Sequence, residues 1–166
     1  MKLYIRQKVF SWKDKFTVKD QYGQDKYMVE GEMFSLGKKL HVSDMAGNEV
    51  AFIQQKILSF MPRYFVFVGD TQVAEIVRKF SLFRPKYDVL GLDWQVEGDF
   101  FAHNYVISDG KNYVVEINKE WMTWGDCYEL DIASGADEIV ALATVLAIDC
   151  ATENNGNGVS VSISSD

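Results

Sequence analysis

The chain has little of what disulfide cross-linking, metal binding or nucleophilic catalysis requires. Its 166 residues include two cysteines, Cys127 and Cys150, two histidines and two prolines. Two cysteines are too few for a disulfide framework, so we expect free thiols and a cytosolic protein. The first ten residues carry Lys2, Arg6 and Lys8 and lack the pattern of a secretory signal. With no proline-rich linker, this length predicts one domain.

The motifs of common enzyme classes are also missing. We find no phosphate-binding loop, no serine-hydrolase elbow and no zinc-protease helix. His41 and His103 are far apart, and neither belongs to a metal-ligand spacing. Neither a Cys127–histidine nucleophile nor a paired-acid site from Asp99 and Asp126 has support in the spacing. We therefore expect no enzymatic activity, no metal and no cofactor.

Positive charge is scarce in the second half of the chain. Residues 1–87 carry 15 Lys/Arg and 9 Asp/Glu, a net +6, whereas residues 88–166 carry 2 and 15, a net −13. The total of −7 and a pI of about 4.8 argue against a nucleic-acid partner. Either the basic half faces an anionic partner, or basic strands pair with acidic strands and the surface charges are simply solvated.

What the sequence does contain is one segment in three copies. Val50–Tyr64, Val73–Tyr87 and Val114–Tyr128 align without a gap, each opening with valine and closing with tyrosine. An aromatic residue also recurs in every copy, at Phe60, Phe83 and Trp124. Such a repeat predicts that one supersecondary unit is stacked or curled. We expect the recurring aromatic to cover one end of the core.

Alternating apolar residues predict β-strands through most of the chain. Gly69-Asp70 predicts a type II′ hairpin, and Asp109-Gly110 predicts a type I′ hairpin. The copies start 23 and then 41 residues apart, and the longer interval has room for an extra hairpin around Tyr87–Val96. Unequal spacing argues against a regular solenoid. It favours a closed sheet of antiparallel hairpins, which has no exposed edge.

One segment, Ile139–Ile148, breaks the strand pattern and is apolar on every helical face. Its uncharged run of 10 residues is short of the roughly 20 that span a bilayer, so it predicts a core helix. Ser134 and Asp137 have the spacing of a capping box. A helix buried on all sides needs a wall on all sides, which predicts a β-barrel around a central helix at about 136–151. Residues 153–166 then form a polar tail or a final short strand.

Three parts of the chain resemble the LURP-one-related family, which shares the tubby-like C-terminal fold also found in phospholipid scramblases. They are the basic and proline-containing Val73–Tyr87, the hairpin Tyr105–Ile117 and the closing helix Asp137–Asp149. The resemblance covers nearly all of Met1–Ala151 and implies one domain over residues 1–152. It implies an α+β, mainly β fold: a closed antiparallel β-barrel of about 12 strands wrapped around the central apolar C-terminal helix.

The resemblance implies little about activity, because most members of the family have no established biochemical function. Tubby domains bind phosphoinositide headgroups, scramblase relatives act at membranes, and plant relatives are linked to defence. Scramblases carry a palmitoylated cysteine cluster and a terminal membrane helix. This chain has only Cys127 and Cys150, and Cys150 lies within the predicted core helix. These departures argue against lipid scrambling.

The best candidates for a binding site are basic residues of the first two copies: Lys56, Arg63, Arg78, Lys79, Arg84 and Lys86. Residues 54–87 contain these six and only two acids, a net +4. In the third copy, Gly125 and Cys127 replace Arg84 and Lys86. Neighbouring copies on a barrel would bring the cations together as a headgroup or phosphate site. Alternatively, they cap strand ends or pair with Glu75, Glu116 and Glu129.

Three functions follow as hypotheses. The first is a non-enzymatic binding or interaction module, cytoplasmic and peripheral at a membrane, that recognises anionic phospholipid through Arg78, Lys79, Arg84 and Lys86. The second is a small-molecule binder or enzyme whose pocket at a barrel mouth holds a group of shifted pKa and is lined by Trp94, Trp121 or Trp124. The third is a protein-interaction scaffold, which an exposed apolar patch would favour.

Overall fold

Twelve strands and one helix make up the part of the chain that the computed structural model describes, residues 1–6, 15–32, 34–123 and 125–153. The strands are β1 (Lys2–Arg6), β2 (Lys15–Asp20), β3 (Asp25–Gly31), β4 (Lys39–Asp44), β5 (Glu49–Gln55), β6 (Arg63–Val68), β7 (Thr71–Lys79), β8 (Lys86–Leu90), β9 (Gln95–Asp99), β10 (Asn104–Ser108), β11 (Tyr113–Met122) and β12 (Gly125–Ile132). The helix, α1, spans Glu138–Glu153.

All strands belong to one antiparallel sheet in the order β8-β7-β6-β5-β4-β3-β2-β1-β12-β11-β10-β9. The sheet curls because β12 returns to pair with β1, so that Leu3 lies opposite Leu130. The two terminal strands, β8 and β9, meet through an isolated bridge between Val89 of β8 and Trp94, the residue directly before β9. The predicted barrel is therefore confirmed in a nearly closed form. The expected extra hairpin around Tyr87–Val96 is the seam of that barrel.

The helix fills the barrel, as its all-round apolar character predicts. Every residue from Ala141 to Thr152 is buried. Strand residues of one parity, such as Leu3 and Ile5 on β1, point inward and pack with the helix into one core. The helix runs two residues later than predicted at each end, from Glu138 to Glu153 instead of about 136–151.

The start of α1 corrects the expected capping box. Asp137 is itself the N-cap, because its Oδ1 accepts hydrogen bonds from the backbone N–H groups of Ile139 (2.9 Å) and Val140 (3.0 Å). Ser134 therefore lies outside the cap that the sequence assigned to it. The carboxylate at this position also suits the positive end of the helix.

Aspartates close three of the hairpins at the end of the barrel where α1 begins. Asp20, Asp44 and Asp109 each accept two backbone N–H groups from residues two to four positions on. These local hydrogen bonds from aspartate side chains stabilise the turns.

The two hairpins predicted from glycine-containing pairs have different outcomes. Gly69 has a φ of +56°, which agrees with the first central position of the expected type II′ turn. The hairpin at Asp109-Gly110 exists, but its type I′ assignment is wrong. Gly110 has a φ of +86° while Asp109 does not adopt a positive φ, and type I′ needs both.

The recurring aromatic does not cover the core, contrary to expectation. Phe60 and Phe83 are almost fully exposed, and Trp124 lies outside the described residues. The repeated tyrosines are buried. The tail at 154–166, with its predicted final strand, also lies outside the described ranges.

Candidate functional site

The repeated tyrosines mark the end of the barrel at which α1 finishes. Tyr64 donates a hydrogen bond to the carbonyl of Cys150 at 3.3 Å, and Tyr128 donates to Asp149 Oδ2 at 2.5 Å. The hydroxyls of Tyr87 and Thr152 are 2.7 Å apart. The helix termini leave carbonyl groups without intrahelical partners, so these contacts help to anchor the helix end to the wall.

The connections at this end form a surface that we name the exit rim. Among the described residues it consists of residues 32, 34–38, 56–62, 80–85 and 100–103, together with the end of β11 at Trp121 and Met122. Because consecutive strands run antiparallel, alternate connections lie at the same end. At the other end, Lys26 contacts Glu138 at the start of α1.

The exit rim is strongly apolar on its outer surface. Of the 15 most exposed large apolar side chains in the described residues, ten lie there: Phe34, Leu36, Ile57, Leu58, Phe60, Phe80, Leu82, Phe83, Phe101 and Trp121. Leu58, Phe60, Phe34 and Phe83 have exposed fractions of 101%, 99%, 97% and 94%. Such a concentration of apolar groups marks a contact surface more often than chance exposure.

Four of the six predicted basic residues lie on or beside this rim: Lys56, Lys79, Arg84 and Lys86. All four are exposed. Lys79 and Lys86 face each other across β7 and β8, a like-charge pairing that is unfavourable in isolation. Lys79 also lies 2.7 Å from Asp88. Within the described residues, Lys56, Arg84 and Lys86 have no carboxylate within ion-pair distance.

The other two predicted residues are placed differently. Arg63 lies on the outer wall and forms an ion pair with Glu75 at 2.7 Å, as the alternative interpretation anticipated. Arg78 has the inward parity of Ala74 and Ile76 and lies opposite Tyr87 in the register. Its Nε is buried and has no hydrogen-bond partner. The structure therefore does not bring these two guanidinium groups to the exposed surface of the rim.

A buried polar cluster lies beneath the rim. Asp149, near the end of α1, is only 5% exposed, and burial raises the pKa of its carboxyl to about 7, against the hydrogen bond from Tyr128 that lowers it. His103 stacks on the ring of Tyr128 with centroids 4.2 Å apart, and its Nε2 is 3.8 Å from Asp149 Oδ1. Burial lowers the pKa of His103. The cluster therefore holds a carboxyl and an imidazole that both favour their neutral forms.

Two polar atoms of this cluster lack partners. The hydroxyl of Tyr105 and Nδ1 of His103 are buried without a hydrogen bond, which is uncommon in folded proteins. His103 also has a φ of +50°, a conformation that few non-glycine residues adopt. The two groups of shifted pKa, Asp149 and His103, thus lie together beneath the rim.

Two clefts of the described residues bear on the predicted pocket. A groove of about 410 Å³ lies on the outer wall where β1 and β2 diverge and is lined by Tyr4, Arg6, Lys15, Phe16, Thr17, Lys19 and Met28. A cleft of about 90 Å³ lies at the rim between Arg84 and Asp99. Neither is lined by Trp94 or Trp121.

Within the described ranges, no three His, Cys, Asp or Glu side chains are placed to hold a metal ion. Residues 1–6, 15–32, 34–123 and 125–153 also contain no helix with the length and apolar character needed to cross a membrane.

Sequence reasoning missed the apolar tips and the buried cluster for different reasons. The recurrence of Phe60 and Phe83 was visible, but a pattern of aromatics does not reveal which way the side chains point. Asp149 and His103 are distant in sequence, and only the barrel brings them within 3.8 Å. The one available signal was the set of repeated tyrosines, all three of which contact the end of the helix.

Comparison with known proteins identifies the fold. A family model described as LURP-one-related matches residues 1–149. The chain is 35% identical over 155 residues to the Bacillus subtilis (strain 168) protein named "Uncharacterized protein YxjI", covering 93% of this chain and 96% of the relative. It also matches an Arabidopsis thaliana protein solved by X-ray crystallography, with a TM-score of 0.64, 16% identity, and coverage of 92% and 90% of the two chains. This last likeness concerns the fold alone.

Proposed function

This chain belongs to the LURP-one-related family, and we propose that it is a peripheral binding module for anionic phospholipid surfaces. Membership of the family establishes the fold but no activity. The docking surface is the exit rim with its cations Lys56, Lys79, Arg84 and Lys86. The observation that carries the proposal is the coincidence of exposed apolar loops and exposed cations at one end of the barrel.

The charge distribution between the two ends supports this orientation. At the end opposite the rim, acids outnumber the lysines Lys2, Lys19, Lys26 and Lys111; they include Asp20, Asp25, Asp44, Asp70, Asp109, Asp131, Asp137 and Glu138. An anionic membrane therefore attracts one end and repels the other. The net charge of −7 does not prevent binding, because charges farther away than about 8 Å are screened at physiological salt.

The shape of the rim favours a surface over an enclosed small ligand. Its cleft of about 90 Å³ is below the roughly 300–1,000 Å³ of typical ligand pockets. The cations instead lie on separate connections and strand ends, where they can contact several headgroups at once. Each basic residue near an anionic bilayer contributes about 1 kcal/mol, so four together account for a roughly hundredfold to thousandfold gain in affinity.

The test is co-sedimentation with vesicles of phosphatidylcholine that contain graded amounts of phosphatidylserine, at low and at physiological salt. We expect binding that rises with anionic content and falls with salt. The variant Lys56→Gln/Lys79→Gln/Arg84→Gln/Lys86→Gln should lose most of it. A control with the same net charge, altered at the opposite end, should retain it: Lys2→Gln/Lys19→Gln/Lys26→Gln/Lys111→Gln. Equal binding by both variants, or no binding of the unaltered protein at either salt, would contradict the proposal.

A further inference from the structure

We infer that the exit rim is an insertion surface, whose loop tips Leu58, Phe60, Leu82 and Phe83 enter the apolar part of the bilayer rather than resting on its headgroups. This inference rests on the proposed function and deepens it, since it adds a hydrophobic contact and a fixed orientation. In the resulting geometry, the barrel stands on the membrane with the end of α1 facing the lipid.

The tips come from two neighbouring connections. Residues 56–62 join β5 to β6 and residues 80–85 join β7 to β8, and these four strands are consecutive in the sheet. Each connection presents one leucine and one phenylalanine, and all four side chains are at least 78% exposed. Two adjacent loops with the same pair of residue types form one apolar prominence. Phe34 and Leu36 extend it along the connection between β3 and β4.

Backbone hydrogen bonds fix the base of the loop that carries Leu58 and Phe60. Leu58 has a φ of +57°, a left-handed conformation that is unfavourable for a residue with a side chain. Ladder hydrogen bonds fix the base of its loop: Lys56 N donates to the carbonyl of Arg63 at 2.9 Å, and Arg78 N donates to the carbonyl of Pro62 at 3.0 Å. The loop that carries Leu58 and Phe60 is thus anchored on both sides while its tips contact little of the protein.

The cations decide between a bilayer and other apolar partners. Lys56 lies two residues before Leu58, and Arg84 directly follows Phe83. Apolar tips beside cations match the two layers of an anionic membrane, with hydrocarbon inside and phosphate outside. A second copy of this chain would bring the same cations against each other, and like charges that meet at an interface are unfavourable.

The variant that tests insertion removes the apolar tips and keeps every charge: Leu58→Ser/Phe60→Ser/Leu82→Ser/Phe83→Ser. Its matched control removes four exposed apolar residues from the opposite end: Tyr22→Ser/Met45→Ser/Leu90→Ser/Tyr113→Ser. With vesicles containing phosphatidylserine, we expect the tip variant to bind at least a hundredfold more weakly at high salt, where electrostatic attraction is screened. The control should bind within about twofold of the unaltered protein, given that scattered surface apolar groups contribute little.

A depth measurement separates insertion from surface docking. Leu58→Cys and, as a control, Met45→Cys are each labelled with an environment-sensitive dye; the native Cys127 and Cys150 are buried. We expect the label at position 58 alone to shift to the blue and to be quenched by nitroxides placed within the acyl chains. Co-sedimentation without this shift would overturn insertion and leave the proposed function intact.

Two further outcomes would overturn the inference of insertion. Absence of co-sedimentation would overturn both ideas together. A blue shift at position 58 without lipid, growing with protein concentration and accompanied by a dimer in light scattering, would mean that the tips cover a second copy, and it too would overturn insertion.

Discussion

At the scale of single residues, the three copies of the repeat share tyrosines whose hydroxyls end on the helix. Tyr64 reaches a backbone carbonyl, Tyr87 reaches Thr152, and Tyr128 reaches Asp149. A buried tyrosine usually needs such a partner. One residue type repeated at equal positions on three inner-wall strands therefore finds three different partners on one helix end, while the other positions of the repeat are free to differ.

Asp149 gives a prediction about pH at the same scale. Its pKa is about 7 in the folded protein because burial penalises the charged form, against a usual value of 3.8. The folded state therefore binds more protons than the unfolded state between about pH 4 and 7, so stability falls as the pH rises through this window. Asp149→Asn removes this decline. The stability of the variant relative to the unaltered protein should rise with pH by at most about 1.4 kcal/mol per unit.

The measurement is urea unfolding of both proteins at pH 4.5, 6 and 7.5. The amide introduced at position 149 can still accept the hydrogen bond from Tyr128, which limits unrelated losses. His103 acts in the opposite direction, since its lowered pKa costs stability as the pH falls below about 6.5; it is present in both proteins. Asp131→Asn, at a partly exposed site of β12, is the control. A difference that stays constant across the three pH values would show that Asp149 is not the buried acid inferred above.

At the scale of elements, α1 depends on the barrel and the barrel on α1. Residues 139–148 of the helix are apolar on every face, and the inner faces of the strands pack against them in one core. Truncating a buried leucine should therefore leave a cavity between the helix and the surrounding sheet, because the two cannot move together to fill it. The cost of such cavities is about 2–5 kcal/mol for Leu→Ala.

Leu146→Ala is expected to lower the free energy of unfolding by an amount in that range, because Leu146 is fully buried within α1. Leu90→Ala, at an exposed position on β8, should cost less than about 1 kcal/mol. Both losses in the free energy of unfolding can be measured by denaturant titrations that are fitted with a common slope. Similar losses for the two variants would argue that the helix is not packed inside the sheet.

At the scale of the whole molecule, the barrel has one weak seam and two unlike ends. Strands β8 and β9 meet through an isolated bridge between Val89 and Trp94, whereas the other neighbours are joined by ladders. The inner wall is thin at β9, where most residues are exposed. Local opening should begin where buried apolar contact is least.

Hydrogen exchange provides the corresponding prediction. Backbone amides of β9 should exchange fastest among the twelve strands, and those of β6, β7 and α1 slowest, because these three elements pack against one another in the core. Mass spectrometry of peptides covering residues 95–99 and 64–77 would measure this difference. Slower exchange at β9 than at β6 would indicate that the seam is closed by contacts beyond the single bridge. Backbone amides of the exit rim should show little protection whether or not the seam is closed, since its tips are exposed.

Much of the fold could be predicted from local patterns. Alternation along strands, turn residues such as Asp109 and Gly110, and an all-round apolar helix are properties of short segments, so sequence alone indicated a barrel around a helix. The details that failed were those set by neighbours. The N-cap is Asp137 instead of Ser134, and the predicted hairpin around Tyr87–Val96 is the seam of the barrel. Both differences arise because pairing and capping depend on which strands meet in the folded protein.

The candidate site was harder to predict from the sequence than the fold. The six basic residues were identified from their repeat positions, but only the fold divides them, since Arg63 meets Glu75 and Arg78 points inward while the other four stay exposed. The exposure of the loop tips and the approach of His103 to Asp149 were decided by tertiary structure alone. Sequence by itself determined the periodicities, hence strands, helix and barrel, because those depend on spacing along the chain. Side-chain direction and contacts between distant residues depend on how the sheet closes, and these only the folded molecule settles.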